Sequence, residues 1–468
     1  MKRFFTFVHI VLIFNHLMKN IVFKGVLLLA SILIFSCENK AQKQHQLSGA
    51  FSGPISISKV EIQQFGLEMK TVFDTIVTEN KFKMNIPKQL PTGMYKILYY
   101  EGEANSSFDF FITNNESVDF NIELSKTKFN APIFTNSEIN TTYYKVTEKN
   151  GELFAQLNSS KGQWAAELDK TSAKADSLAQ SIKQTLKDQE ENFATISSDL
   201  PFLKLIIKNS FPSQFFDAEL TPRQQDSVNF STYWSKIDAN NADLLNSSVL
   251  ASSIYNYINF TFSFYTHLPH KEQVKKTEEA VDYILKQFTD AKTRKFAIDY
   301  LSFGFTQLGR EDILKYIDLN YASVDQCENP DKLKVRLEGY EKIKAGNPAP
   351  ELVFEGENIL NSITDTTLVV YWATWCTHCQ QEIPQLYQFQ GQTNMKVIAI
   401  SLDTDKKIFE DVEKQLPNFT HYCDFLEWNS PNVKNYYVKG TPTFVLIDPN
   451  KNIIGKYISI NDVMAELF

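Results

Sequence analysis

The chain has 468 residues, 43% of them apolar and 22% charged, with a net charge of −8. At roughly 150 residues per domain this leaves room for about three domains, each long enough to bury a core. The acidic balance and the absence of a long basic run argue against a nucleic-acid surface, and 37 Phe with 20 Tyr favour packed β-structure over disorder.

Gly25 to Phe35 is an apolar run of eleven residues. It is too short for a bilayer span, which takes about 20. With Lys19 and Lys24 as a positive flank, it reads as the apolar core of a secretory signal. Ser36 and Cys37 follow at once. A small residue and then Cys resembles a bacterial lipoprotein signal, and the resemblance implies lipidation at Cys37 and an anchor stable when more than one acyl chain is attached. The alternative is a buried or membrane helix with an incidental Cys37. An earlier apolar stretch, Phe4 to Phe14, is broken by His9, and Met18-Lys19-Asn20 makes a better signal start, so translation is expected to begin at Met18. The reading is therefore a signal over 1–37 and a polar tether over 38–47, on a protein held in the cell envelope and facing the periplasm. Glu38 favours the outer membrane by analogy with enteric sorting; the inner membrane stays open.

Residues 48–138 alternate apolar and polar side chains, as in Val60 and Ile62, Phe82 and Met84, and Val118, Phe120 and Ile122. That period marks half-buried strands, and Gly, Asn and Pro cluster between them. An antiparallel β-sandwich of six to eight strands is expected. The pattern resembles the small β-domain that precedes thioredoxin domains in Bacteroidetes lipoproteins. Over 139–343 the period becomes helical. Trp164, Leu168, Thr171, Ala175, Leu178, Ile182 and Leu186 recur at three- and four-residue steps and predict one helical face. Further helices are predicted near 198–210, 245–266, 271–288, 290–307 and 311–322. This α-helical middle region carries no chemical motif and reads as a spacer or docking surface.

Gly346-Asn347-Pro348-Ala349-Pro350 breaks the pattern and opens a third unit, 344–468, in which strands and helices alternate. Leu368 to Trp372 is continuously apolar, as in a buried strand. A helix over 377–390 follows, then a strand over 395–402, a helix near 405–415, a strand near 419–423, a hairpin over 443–447 and 452–457, and a short helix over 461–467. Between the first strand and its helix lie Cys376-Thr377-His378-Cys379. Zinc would need two more ligands at suitable spacing, and no second such pair exists. At a strand-to-helix junction the pair reads as a redox dithiol. A first Cys there faces unpaired N–H groups and the positive end of the helix dipole, which favours the reactive thiolate. The second Cys is placed to attack the mixed disulfide that results.

This block resembles the TlpA/ResA-like thiol-disulfide oxidoreductases of the thioredoxin superfamily, AhpC/TSA-like in its lead-in. Glu382-Ile383-Pro384 and Gly440-Thr441-Pro442-Thr443 match the family as well, as does Gly346 to Pro350. The resemblance is confined to the last unit. It implies a multi-domain protein with an α/β thioredoxin fold at its C-terminus, catalytic Cys376 and Cys379, and a cis Thr441–Pro442 bond against the dithiol. It implies that Trp375, Thr441 and Pro442 line the substrate groove, and that protein thiols and disulfides are the substrates. It further implies an upstream thiol-redox partner at the inner membrane and no metal or organic cofactor.

Two departures bear on the chemistry. Thioredoxins proper carry a buried acid six residues before the first Cys, where this chain has Val370; Glu382 matches an acid of TlpA/ResA-like proteins and could replace it. The intervening pair is Thr377-His378, and a His before the second Cys resembles strongly oxidising enzymes, which implies that His378 raises the reduction potential. Trp372 reads as core. Cys327 and Cys423 are left, and free thiols are expected over a bridge. Two rivals stand: a peroxiredoxin-like thiol peroxidase, although the Pro and Thr that precede a peroxidatic Cys are absent, and a partner-binding lipoprotein with an accessory redox domain.

Overall fold

The computed structural model describes residues 45–113, 116–127, 130–212, 214–322, 330–393 and 395–467. The signal, Cys37 and most of the tether lie outside these residues, as do Asn114, Asn115 and Cys327.

The first unit holds eight strands: β1 (Gln46–Ser52), β2 (Lys59–Gln64), β3 (Lys70–Ile76), β4 (Lys81–Asn85), β5 (Gly93–Glu101), β6 (Ala104–Ile112), β7 (Val118–Glu123) and β8 (Ile133–Phe134). They form two sheets, ordered β4-β1-β7-β8 and β3-β2-β5-β6. Inward residues of both sheets, among them Leu47, Phe51, Val60, Ile62, Ile97, Phe108 and Phe120, make one core. The expected sandwich is there, with two corrections. It is not wholly antiparallel, because β1 runs parallel to β7 from Leu47↔Val118 to Ser52↔Glu123. The tether also ends sooner than its polar composition suggests. Gln46 and Leu47 are already strand, and Leu47 is fully buried, since it begins the inward row that Gly49 and Phe51 continue. A β-carbon on Gly49 would lie 2.4 Å from the Phe120 ring and 2.5 Å from that of Phe82, so only glycine lets these rings close over the strand.

The helical unit runs through α1 (Glu138–Ala166), α2 (Ala173–Ala194), α3 (Pro201–Ser210), α4 (Pro222–Ser231), α5 (Val249–Tyr265), α6 (His270–Gln287), α7 (Ala291–Gln307), α8 (Glu311–Asn320) and α9 (Pro330–Lys342). The single helical face expected through Trp164 and Leu186 is two helices. Leu168 is 98% exposed in the turn between them. The turn has its own polar chemistry: the Lys170 amine donates to the Trp164, Ala165 and Glu167 carbonyls, and Ser172 Oγ accepts from Ala175 N–H at 3.1 Å. Together these cap one helix end and the next helix start. Trp164, Ala175, Ala179 and Ile182 then pack across the resulting hairpin.

The sandwich and the helices share apolar surface. On β6, Phe110 faces the sandwich core, while Phe111 faces the helices and packs against Tyr143 and Phe202 at ring-centroid distances of 5.1 and 6.0 Å. The period-2 alternation of a strand puts consecutive residues on opposite faces. Asn140 locks the junction. Its Oδ1 accepts from Phe111 N–H at 2.7 Å, its Nδ2 donates to Phe111 C=O at 2.9 Å, and it is fully buried. Among the described residues no helix is long and apolar enough to cross a membrane.

The last unit contains β9 (Val353–Phe354), β10 (Glu357–Asn358), β11 (Thr367–Trp372), α10 (Thr377–Thr393), β12 (Lys396–Ser401), α11 (Lys406–Glu413), β13 (Thr420–Cys423), α12 (Pro431–Asn435), β14 (Thr443–Ile447), β15 (Ile453–Tyr457) and α13 (Ile460–Leu467). Its main sheet is ordered β13-β12-β11-β14-β15. Every residue of β11 is buried, as a central strand covered on both faces requires. The sheet is mixed: β11 is parallel to β12 and antiparallel to β14. The lead-in through Pro348 runs beside the β14–β15 turn, with Gly346 N–H on Ile453 C=O at 2.7 Å and Ala349 N–H on Lys451 C=O at 2.8 Å.

Asn140→Ala leaves both backbone groups of Phe111 unpaired in a dry junction. The expected loss is roughly 2–4 kcal/mol, read as a lower urea midpoint of the full chain; an unchanged midpoint would show that this amide does not hold the sandwich to the helices.

Candidate active site

Strand register decides what meets at the end of β11. Tyr371 pairs with Thr443 at the start of β14, and Trp372 pairs with Ser401 at the end of β12. Ser401 pairs in turn with Cys423 at the end of β13. The chain leaving β11, the chain leaving β12 and the chain entering β14 therefore share one edge of the sheet, where ligands bind in open α/β folds. Cys376, Asp403 and Thr441 lie there.

Cys376 occupies the turn into α10. Its Sγ accepts from Cys379 N–H at 3.1 Å and, as a thiol, donates to Thr441 C=O at 3.2 Å. Gln380 N–H bonds to Cys376 C=O at 3.1 Å, so the sulfur sits at the mouth of the first helical turn and takes up one of its otherwise unpaired N–H groups. The Thr441–Pro442 bond is cis, and Pro442 is buried. Cys376 and Cys379 are unbonded thiols. Cys379 is 1% exposed, and burial, reinforced by the neighbouring Cys376 thiol, pushes its own thiol well above the ordinary range. The pair is thus asymmetric, with one sulfur held by N–H and carbonyl partners at the helix start and the other kept neutral in the core.

The remaining expected residues are distributed as follows. Trp375 is 50% exposed beside Cys376. Thr377 and His378 are exposed in the first turn of α10, and His378 makes no hydrogen bond or ion pair among the described residues. An imidazole in water acts on the sulfur only through screened electrostatics. Glu382 is half-buried, and its Oε2 accepts from Ile460 N–H at 2.8 Å, which ties α10 to the first turn of α13. Val370 is fully buried and Trp372 lies in the core. Cys423 is a free thiol; its Sγ donates to Asp403 C=O at 3.3 Å, and burial raises its pKa.

Asp403 escaped the sequence reading. It is 2% exposed. Its Oδ1 accepts from Thr374 Oγ1 at 2.6 Å, both carboxylate oxygens lie 3.2 Å from Thr374 N, and Ser401 Oγ donates to Oδ2 at 2.6 Å. A buried carboxylate so saturated fixes the turn two residues ahead of Cys376. Its position just past the end of β12 was the available signal.

A second unexpected feature is the loop 424–429. Phe425 and Glu427 hold φ of 58° and 53°, a region that side chains other than glycine rarely adopt. Asp424 braces the loop by accepting from Leu426 N–H at 3.1 Å and from the Ser430 hydroxyl. The loop presents Trp428, 37% exposed, with its ring centroid 6.5 Å from that of Trp375.

A five-stranded mixed sheet with a dithiol at the start of its first long helix and a cis-proline facing it defines the C-terminal unit as a thioredoxin-like domain. The family model described as thioredoxin-like matches residues 364–453. Among curated proteins, the thiol-disulfide oxidoreductase ResA of Bacillus cereus (strain ZK / E33L) is 27% identical over 131 residues, spanning 25% of this chain and 72% of ResA. Among solved structures, the C-terminal domain of a thiol-disulfide oxidoreductase from Bacteroides thetaiotaomicron is 23% identical, covering 27% of this chain and 95% of that one at a TM-score of 0.25. A thioredoxin-like protein from Bacteroides caccae ATCC 43185 is 16% identical, covering 55% and 97% at a TM-score of 0.35.

The raised pKa of Cys379 sets the pH dependence of the second sulfur's attack. When Cys376 carries thionitrobenzoate, release by Cys379 should accelerate about tenfold per pH unit from about pH 6 to about pH 8 without levelling, because only the thiolate attacks. Stopped-flow absorbance checks this; a plateau reached below neutrality would contradict it.

Proposed function

We propose that this protein is a thiol-disulfide oxidoreductase that exchanges disulfides with proteins outside the cytoplasm. The observation that carries the reading is the Cys376 sulfur, held between Cys379 N–H and Thr441 C=O with a buried partner thiol three residues on. The likeness to ResA supports it independently.

The exchange has two steps. The Cys376 thiolate attacks one sulfur of a substrate disulfide; a Cys376–substrate disulfide forms and the other substrate sulfur leaves as a thiolate that takes a proton. Cys379 then loses its proton and attacks Cys376 Sγ, which expels the second substrate thiol and closes Cys376–Cys379. Two electrons have passed to the substrate. They are replaced by a partner dithiol running the same steps in reverse, and the relative potentials fix the net direction. Thr441 offers its backbone to the incoming segment, with Trp375 and Pro442 beside it, and His378 tunes the thiolate from the exposed side of α10.

Cys376→Ser should reduce disulfide reduction in insulin to the uncatalysed background, whereas Cys379→Ser should accumulate protein–protein disulfides that dithiothreitol dissolves. Non-reducing electrophoresis with mass spectrometry reads both. If Cys379→Ser captures nothing and the wild type leaves insulin intact, the reading fails.

We also propose that Cys37 carries the lipid that anchors the protein, on the strength of the apolar run and the Ser36-Cys37 pair. Labelled palmitate should enter the wild type and not Cys37→Ala; equal labelling of both would exclude this anchor.

A further inference from the structure

The helical unit reaches the cis-proline loop. Between α7 and α8 the chain turns through Leu308-Gly309-Arg310, with Gly309 at φ 66°. A β-carbon on Gly440 would lie 3.8 Å from Gly309 Cα, so the two backbones are in van der Waals contact. Next to this contact, Glu311 Oε1 accepts from Lys439 N–H at 3.2 Å while its Oε2 pairs with Lys456 Nζ at 2.6 Å. Both side chains of that pair are largely buried, at 18% and 16% exposed. Arg310 is held in turn by a two-pronged pair with Asp312, at 2.9 and 2.7 Å. One carboxylate thus fastens the helical unit both to β15 and to the loop ahead of β14, the latter at the residue preceding Gly440. Thr441, which follows Gly440, is the carbonyl partner of the Cys376 sulfur.

This placement puts an exposed apolar residue next in the chain to the contact with the cis-proline loop. Leu308 is 55% exposed one residue before the Gly309–Gly440 contact. Trp375, next to Cys376 in the chain, is exposed as well, and so are Leu426 and Trp428 on the braced loop 424–429. Large apolar residues exposed together mark recognition surfaces, whereas scattered ones need no explanation.

We propose that the Leu308–Arg310 turn forms one wall of the groove that receives substrate, so that the helical unit selects which disulfides reach Cys376. The occupant is an extended protein segment whose cysteine is flanked by an aromatic or long aliphatic side chain, seated between Leu308 and the Trp375–Trp428 pair. This rests on the oxidoreductase reading above.

The test uses the pre-reduced full chain in single turnover, followed by thiol titration of acid-quenched samples. Three oxidised probes are compared: glutathione disulfide, and two disulfide-linked peptide dimers that differ only in Phe or Ser beside the cysteine. The wild type should oxidise faster with the Phe peptide than with the Ser peptide, by about five-fold, the scale of partial burial of one large apolar side chain. Leu308→Asn, nearly isosteric and neutral, should remove most of that preference and leave the glutathione rate unchanged; Leu308→Met should restore it. A wild type indifferent to Phe or Ser overturns the proposal, as does a preference untouched in Leu308→Asn. A parallel fall with all three probes also overturns it, by assigning Leu308 to the fold. A wild type that reacts with none of the probes overturns instead the oxidoreductase reading on which the proposal stands.

Discussion

The register of β11 against its two neighbours is the constraint from which the site follows. Pairing Tyr371 with Thr443 and Trp372 with Ser401 sets three chain segments at one sheet edge. A slip of one residue would turn each side chain of a strand to the opposite face. In β11 every position is buried, so apolar alternation cannot fix the register there. The ends of the strand do it instead. Leu402 N–H bonds to Trp372 C=O at 2.8 Å, and the Asp403 carboxylate one residue on takes the Thr374 N–H and hydroxyl. A polar lock at the strand end thus specifies what a uniform apolar strand leaves free.

The same economy separates the two sulfurs. Both lie in the core of the redox unit, yet their partners differ. Cys376 has an N–H donor and a carbonyl acceptor within 3.2 Å, which allows it to be bound in either protonation state. Burial opposes charge at Cys379, so that group is held as a thiol. With Val370 where thioredoxins proper hold an acid, and Glu382 engaged with Ile460 N–H, no carboxylate among the described residues hydrogen-bonds the Cys379 sulfur.

Local pattern made much of this legible. The continuous apolar strand, the dithiol at a strand-to-helix junction and the helices near 249–265 and 291–307 are written in periods of two and 3.6 residues and in residue types whose chemistry is fixed. Failures fell where a local signal had two meanings. Trp164 to Leu186 keeps helical spacing across a break, because Leu168 is apolar yet lies in a turn capped by Lys170 and Ser172. Gln46-Leu47 follows a polar stretch and reads as tether, because the pairing that buries Leu47 is with Met84 and Val118, far along the chain. Asp403 meets Thr374 across 29 residues, and Glu311 meets Lys439 across 128. No local period encodes such contacts; they exist only once the sheet and the helices are assembled.

That last contact changes what the helical unit is. A spacer joined by a tether would leave the cis-proline loop to the redox domain alone. Here a largely buried carboxylate bridges the loop's Lys439 N–H and the β15 Lys456 ammonium, both in the redox unit, from the start of α8. Removing the Lys456 ammonium would leave the Glu311 charge in a site with little water, which costs more than the pair contributes. Close by, Gly339 of α9 lies against the Tyr437 ring with no room for a β-carbon, which would come within 2.7 Å. Contacts this tight transmit displacement rather than absorb it. The helical unit is therefore packed onto the loop whose Thr441 carbonyl meets the Cys376 sulfur, rather than hung from it by a tether.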